Sequence, residues 1–189
     1  MLKIAVVVGS LRKDSYNKKF AHALGKLAAG KLEFHFAEIG DLPLFNQDLE
    51  SNVPASVTKF KQEIESADGV LFVTPEYNRS IPGGLKNAID WASRPYGKSS
   101  WNGKPAAVCG TSQGAIATSV AQSHLKGLVA GYLNMPMLGQ PEMYFQWKDG
   151  LIADDGTVTN DDTKKFLQGY VDAFAALVQS HAQARKVAA

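Results

Sequence analysis

The sequence predicts an α/β fold in which five parallel strands form a doubly wound sheet with helices on both faces. Short apolar runs alternate along the 189 residues with stretches whose apolar side chains recur every three or four positions. The first pattern is typical of buried strands and the second of amphipathic helices, so their alternation indicates a parallel sheet between two helical layers. The length and the 45% hydrophobic content suit a single globular domain over residues 1–189.

Three predicted strands and three predicted helices occupy the first half of the chain. The strands are apolar runs at about 2–8, 32–39 and 69–74, and a connection rich in turn-forming residues follows the second at 40–48. The second and third helices are expected near 55–67 and at about 84–93. The apolar stripes of the first two helices are Phe20, Leu24, Leu27 and Ala28, then Val57, Phe60 and Ile64.

The second half of the chain supplies the remaining elements. A strand is expected at about 105–110 and a helix near 115–131, before a fifth apolar segment at 135–138 that leads into residues 143–145. The final helix opens at 159–162, where a capping residue precedes two acids. The side chains expected to face the core on these two helices are Val120, Leu125, Leu128 and Val129, then Phe166, Tyr170, Phe174, Leu177 and Val178.

This succession fits the flavodoxin-like strand order 2-1-3-4-5. In that order the first and third strands are neighbours whose helices leave towards opposite faces, and a crevice opens at their carboxyl ends. The two loops that follow these strands, at 9–17 and 75–84, therefore meet at the expected ligand site.

Composition argues against several other classes of protein. A net charge of +2 gives no reason to expect nucleic acid as a partner, and no apolar stretch reaches the ~20 residues of a membrane span. The single cysteine, Cys109, excludes an internal disulfide and a four-cysteine metal site, and the four histidines lack ligand spacing, so no metal is expected. Cys109 is predicted to be a buried structural thiol. Because the start of the chain lacks the layout of a signal peptide, we expect a cytoplasmic protein.

The loop at 9–17 has the donors that a terminal phosphate requires. A helix starting near Ser15 offers free backbone amides and the positive end of its dipole. Ser10, Ser15 and Asn17 add side-chain donors, and Arg12 adds a planar cation. The dinucleotide glycine fingerprint and the Walker pattern are both absent, which favours a mononucleotide bound end-on. A plain turn with Ser15 as an N-cap is the alternative.

The loop at 75–84 suits a flat ring. Its two prolines stiffen it, and its paired glycines allow a tight turn into the next helix. Backbone amides around Glu76, Tyr77 and Asn78 would face the polar edge of a flavin ring, and the Tyr77 ring would form a wall. A third loop, at 110–114, places small residues and hydroxyls at the same edge, near the N1 and O2 side of such a ring. A rigid crossover loop without a ligand is the alternative.

Two blocks of the sequence resemble NAD(P)H-dependent FMN reductases of flavodoxin-like fold, in particular the bacterial quinone reductases also described as chromate reductases. The blocks are residues 9–12 with Ser15 and Asn17, and residues 74–78 with 81–91. The resemblance implies FMN as cofactor, NAD(P)H as co-substrate, and a homodimer or homotetramer. The FMN contacts that it implies are Ser10, Arg12, Ser15, Tyr16, Asn17, Pro75, Glu76, Tyr77 and Asn78, together with Thr111 or Ser112.

The leading hypothesis is an alternating reaction in which reduced nicotinamide passes hydride to the flavin and a quinone, or incidentally chromate, then takes its place. The flavin carries this chemistry, so no catalytic side chain is expected. Arg94 is predicted to border the opening and bind an anionic part of a substrate, with a solvated surface arginine as the alternative. The alternatives are a flavodoxin-type electron carrier, a free-flavin reductase, and a mononucleotide-binding scaffold without flavin.

Two further sets of residues are predicted to surround the site. Tyr96 and Trp101 are expected to wall the substrate space. The segment 122–132, with Tyr144 and Trp147, is expected to contact another subunit, with an ordinary core-facing helix as the alternative.

Overall fold

Within the computed structural model, which describes residues 1–188, the chain forms five strands: β1 (Leu2–Val8), β2 (Leu32–Ala37), β3 (Gly69–Val73), β4 (Ala106–Ser112) and β5 (Met143–Gln146). They make one parallel sheet in the order β2-β1-β3-β4-β5. Val8 pairs with Val73, and Val73 pairs with Cys109, so the chain leaves β1, β3 and β4 along one edge. The predicted flavodoxin-like sheet and its strand order are confirmed. That residues 1–189 form a single domain stays a prediction, and Ala189 lies outside the described residues.

Helices cover both faces of this sheet. Their bounds are α1 (Tyr16–Leu27), α2 (Ala55–Glu65), α3 (Gly83–Ala92), α4 (Ser119–Gly127) and α5 (Asp161–Ala188), with a 3₁₀ turn at Gln47–Ser51 and a π-helical turn at Leu128–Tyr132 that continues α4. The face that carries Val6 and Val8 packs against α1 and α5, and the opposite face, with Val7, packs against α2, α3 and α4. Because both faces are buried, the central strands are apolar at nearly every position.

The fifth apolar segment contacts the sheet at one point before it leads into β5. Residues 135–138 make one bridge to the start of β4, where Ala106 N donates to Pro136 O and Leu138 N donates to Ala106 O, both at 2.8 Å. The strand itself lies further on, at β5. Pro136 has no N–H to donate, which prevents the apolar segment from pairing along its whole length.

Two aromatic residues also lie elsewhere than predicted. Phe166 of α5 is 49% exposed and therefore does not belong to the core stripe. Trp101 is fully buried, with its ring 6.0 Å from Phe60 and 5.4 Å from Phe72, so the prediction that it walls a substrate space is wrong. Tyr96 is exposed and lines a surface cavity together with Tyr132.

Among residues 1–188, none of the helices combines the length and the hydropathy that a membrane span requires. The same residues contain no group of three or more histidine, cysteine, aspartate or glutamate side chains placed to hold a metal ion.

Cys109 lies on β4 and is buried, as predicted. Burial raises the pKa of its thiol from 9.0 to about 12, against the smaller opposing effect of the Tyr170 hydroxyl. Between these two pH values the unfolded chain binds fewer protons than the folded chain, so stability is lost as the pH rises. We expect the free energy of unfolding of the wild type to fall about 1 kcal/mol per pH unit more steeply than that of Cys109→Ala over this window. Urea denaturation at a series of pH values measures both slopes, and equal slopes would contradict the prediction.

Candidate functional site

Three loops meet at the carboxyl edge of the sheet and enclose a cavity of about 210 Å³. They follow β1, β3 and β4, which are neighbours in the sheet. The cavity is lined by Ser10, Arg12, Ser15, Tyr16, Asn17, Pro75, Glu76, Tyr77, Thr111, Ser112 and Gln113. All of these except Gln113 were predicted flavin contacts. The remaining predicted contact, Asn78, follows Tyr77 in the chain but does not line the cavity.

One end of the cavity is formed by the start of α1. Ser15 caps this helix, since its hydroxyl accepts from Lys18 N at 3.2 Å. The amides of Tyr16 and Asn17 come before Lys18 in the first turn and have no intrahelical acceptor, and this turn contains no acidic residue. Arg12 is exposed and forms no ion pair within residues 1–188. Free amides, hydroxyls and an unpaired cation make this end suitable for an anion.

The side chain of Asn17 joins the first loop to the third. Its Nδ2 donates to Thr111 O at 2.9 Å, and its Oδ1 accepts from Thr111 N at 3.0 Å. Both bonds are buried and join residues 94 positions apart in the chain. Asn17 therefore fixes the position of Thr111 in the cavity wall, in addition to any contact with a ligand.

Replacing Asn17 with alanine is expected to lower the free energy of unfolding by about 2–4 kcal/mol, because it leaves two buried backbone groups of Thr111 without partners. The control is Asn102→Ala, since Asn102 is exposed and accepts a single side-chain bond from Asn134. We expect less than about 0.5 kcal/mol for that control. Urea denaturation of both variants tests the difference, and equal small losses would show that the Asn17 bonds are not stabilising.

The second loop contains a tight two-residue turn. Tyr77 and Ser80 exchange backbone hydrogen bonds, each 3.0 Å, and the residues between them have positive φ angles of 51° for Asn78 and 62° for Arg79. These features define a type I′ turn. Asparagine suits this turn, whereas arginine at positive φ is strained. The turn holds Tyr77, which is half exposed, at the rim of the cavity.

The Glu76 carboxylate joins this loop to α4. One oxygen accepts from the backbone amides of Val120 and Ala121 at 3.0 and 3.1 Å, and the other pairs with Arg79 at 3.0 Å. Glu76 thus caps α4, whose N-cap residue Thr118 makes no side-chain cap bond. With its carboxylate so occupied, the polar groups that this loop offers to a ligand are those of its backbone.

A side chain of the third loop, that of Ser112, bonds to the backbone at the far end of the same loop. The Ser112 hydroxyl donates to Ala117 O at 2.7 Å, which folds residues 113–116 outwards. The Thr111 hydroxyl is buried and has no hydrogen-bond partner within residues 1–188. An unpaired buried hydroxyl in a cavity wall is unfavourable unless a ligand supplies the partner.

Arg94 lies apart from this cavity. Its Nε and Nη2 donate to the carboxylate of Glu50 at 2.5 and 3.1 Å, and this hydrogen bonding raises the pKa of the guanidinium. Both residues line a separate cavity of about 300 Å³ beside α2 and α3. Substrate binding by Arg94 stays a prediction that the contacts of this chain do not support.

Two residues predicted to contact another subunit are buried within the chain. Gln122 is fully buried and Trp147 is 6% exposed, so neither contributes to an exposed surface. Trp147 instead contacts a residue of the cavity wall, because its ring lies 4.7 Å from that of Tyr16. Its position after the fifth predicted strand was the one sequence signal that could have placed it near the site.

Comparison with known proteins identifies the family. The model of the NADPH-dependent FMN reductase family matches residues 2–148. The chain belongs to that family. The 2-hydroxy-1,4-benzoquinone reductase of a Burkholderia species is 56% identical over 94% of this chain and 97% of its own length. A quinone reductase of Pseudomonas putida is 51% identical over 93% of this chain and 94% of its own. Among solved structures, the flavoenzyme NAD(P)H:(acceptor) oxidoreductase FerB from Paracoccus denitrificans has a TM-score of 0.93 and 54% identity, covering 96% of this chain and 99% of its own.

Membership of the FMN reductase family confirms the predicted oxidoreductase class, with FMN and NAD(P)H as its flavin and nucleotide. The geometry fits this flavin. Free amides and hydroxyls at the start of α1 are the groups that bind phosphate, and the third loop contributes to the wall Thr111, whose buried hydroxyl is unpaired among residues 1–188. The Gly110 backbone approaches Thr74 O so closely that a Cβ would lie 2.0 Å from it, which draws the second and third loops together.

Proposed function

We propose that this chain is an FMN-dependent NAD(P)H oxidoreductase that transfers two electrons to quinones. The observation that carries the proposal is the convergence of three loops on one cavity, with anion-binding groups at the start of α1 and the tyrosine-walled second loop beside them. Bound FMN would supply hydride and electron transfer. The protein would hold and orient the flavin and would provide no acid or base.

Each loop has its own part in this proposal. Ser10, Ser15, Arg12 and the first amides of α1 would bind the FMN phosphate. The backbone of the second loop, from Pro75 to Asn78, would bind the polar edge of the ring, and Tyr77 would cover one side. Thr111 would donate its free hydroxyl to the ring, on a backbone that Asn17 holds in place.

The names of the relatives favour benzoquinones as the oxidant class. Two relatives more than half identical to this chain are named for the reduction of a quinone or of 2-hydroxy-1,4-benzoquinone. We therefore propose a small hydroxylated benzoquinone as the preferred substrate. Chromate reduction, a homodimeric or homotetrameric assembly and a cytoplasmic location stay predictions.

An anaerobic absorbance experiment tests the proposed function. Purified protein supplemented with FMN should show bound-flavin bands that bleach on addition of NADPH or NADH and return on addition of 1,4-benzoquinone. Bound flavin that neither nucleotide reduces would favour the electron carrier. Flavin that dissociates once reduced would favour the free-flavin reductase, and failure to bind FMN would contradict the proposal.

Two variants of the loop at 9–17 test the proposed binding of the FMN phosphate at the start of α1. Arg12→Ala is expected to weaken FMN binding about tenfold or more, because it removes charge-assisted hydrogen bonds to the phosphate. Lys13→Ala removes a neighbouring positive charge that does not line the cavity, and we expect less than about a threefold change. Fluorescence titration with FMN measures both. Equal losses would show that Arg12 acts only through its long-range charge.

A further inference from the structure

Trp147 is held rigidly at the end of β5. Its backbone N donates to Ser112 O at 2.8 Å, and its indole Nε1 donates to Asp149 Oδ1 at 3.2 Å. The side chain is 6% exposed, and Trp147 lies outside both blocks of family resemblance. Because the backbone nitrogen and the ring nitrogen of this residue both donate hydrogen bonds, the buried indole has little freedom to reorient.

Tyr16 lies between this indole and Arg12. The Tyr16 and Trp147 ring centroids are 4.7 Å apart with planes inclined by 30°. The guanidinium carbon of Arg12 lies over the Tyr16 ring, 5.6 Å from the ring centroid. This distance is within the range of a cation–π contact, and arginine is well suited to lie over aromatic rings.

We infer that Trp147 is a positioning residue for Arg12 and acts through Tyr16. The inference rests on the proposed function, in which Arg12 binds the FMN phosphate. A long exposed arginine loses rotamer freedom when a ligand fixes it, and a supporting ring that already restricts it reduces that loss. The buried indole fixes the Tyr16 ring, and the ring holds the guanidinium beside the start of α1.

Simple core packing is the competing explanation for Trp147, which also belongs to the hydrophobic cluster on the α1 face. The two explanations differ in what they predict for a ligand without a phosphate. A packing defect would weaken the binding of FMN and riboflavin alike. Loss of Arg12 positioning would weaken only FMN.

A double-mutant cycle tests the inference. FMN dissociation constants are measured by fluorescence titration for the wild type, Trp147→Leu, Arg12→Ala and the double variant. We expect Trp147→Leu to weaken FMN binding about threefold to tenfold in the wild-type background and less than about twofold when Arg12 is already absent. Trp147→Phe keeps an aromatic ring under Tyr16 and should retain wild-type affinity within about twofold.

Riboflavin provides the second readout, and Trp147→Leu should change its affinity less than about twofold. Equal losses of FMN in both backgrounds, or equal losses of FMN and riboflavin, would overturn the inference. If Trp147→Leu does not fold, Trp147→Met fills more of the same space without an aromatic ring and should give the same pattern. A wild type that binds neither flavin would refute the proposed function, whereas a wild type that binds FMN with zero coupling in the cycle would refute this inference alone.

Discussion

Replacing Gly110 with alanine is expected to destabilise the fold more than any other small substitution near the site. A Cβ at this position of β4 would lie 2.0 Å from Thr74 O and 2.5 Å from the Thr118 hydroxyl. The nearer atom belongs to the backbone that leaves β3, so relief requires the two strands to separate. We expect the free energy of unfolding to fall by at least about 3 kcal/mol, at the upper end of the costs of overpacking.

Two glycines in open surroundings provide the controls for Gly110→Ala. A Cβ at Gly83, where α3 begins, or at Gly169, inside α5, would meet no atom within 4 Å. We expect Gly169→Ala to raise the free energy of unfolding by about 0.5–1 kcal/mol, because alanine loses less backbone entropy in a helix, and Gly83→Ala to be near neutral. Urea denaturation of the three variants tests the prediction. A loss below about 1 kcal/mol for Gly110→Ala would show that β3 and β4 adjust without strain.

The Gly110 substitution should also affect the cavity. Thr74 directly precedes the second loop, and Gly110 directly precedes Thr111. Separation of the strands at this point would move Tyr77 away from the third loop. In a variant that still folds, we therefore expect weaker binding of riboflavin as well as of FMN, in contrast to Arg12→Ala, which affects the phosphate alone.

Local patterns predicted the sheet and the ligand-binding edge because both depend on neighbouring residues. Apolar runs bounded by turn formers correspond to β1 to β4, and Ser15 caps α1 where the hydroxyl-rich loop predicts a helix start. β5 includes residues 143–145, into which the fifth apolar segment leads, whereas the segment itself makes only one bridge, because Pro136 lacks the N–H that a strand residue donates.

Local sequence patterns could not predict contacts between residues that lie far apart in the chain. The sequence indicated Asn17 as a phosphate donor, but its bonds to Thr111 span 94 positions and follow only from the sheet order. The same holds for Trp147, whose partner Tyr16 lies at the opposite end of the chain. Both residues have side chains that fit several roles, and only the tertiary structure selects one.

Removing the Glu76 carboxylate, which joins the second loop to α4, is also expected to destabilise the fold strongly. It provides the cap of α4 that Thr118 does not, and it neutralises Arg79, which is held at a positive φ of 62°. We expect Glu76→Ala to lower the free energy of unfolding by about 2–3 kcal/mol, as the sum of a lost cap and lost charge-assisted bonds. Glu76→Gln keeps one carbonyl oxygen for the α4 amides and should lose about 1 kcal/mol.

Two further variants serve as controls for the Glu76 prediction. Glu38→Ala tests the loss of an exposed carboxylate, and Arg79→Gly separates the helix cap from the ion pair. Glu38→Ala removes an exposed carboxylate just after β2 and should change the free energy of unfolding by less than about 0.5 kcal/mol. Arg79→Gly removes the ion pair but places glycine at a positive φ that suits it, so we expect little loss or a small gain.

Urea denaturation measures the free energies of unfolding of these variants, and amide hydrogen exchange at Val120 and Ala121 reports the α4 cap directly. A loss for Arg79→Gly as large as that for Glu76→Ala, with unchanged exchange at the two amides, would assign the effect to the ion pair. Fast exchange in Glu76→Ala alone would instead show that this loop holds α4 in place through a single carboxylate.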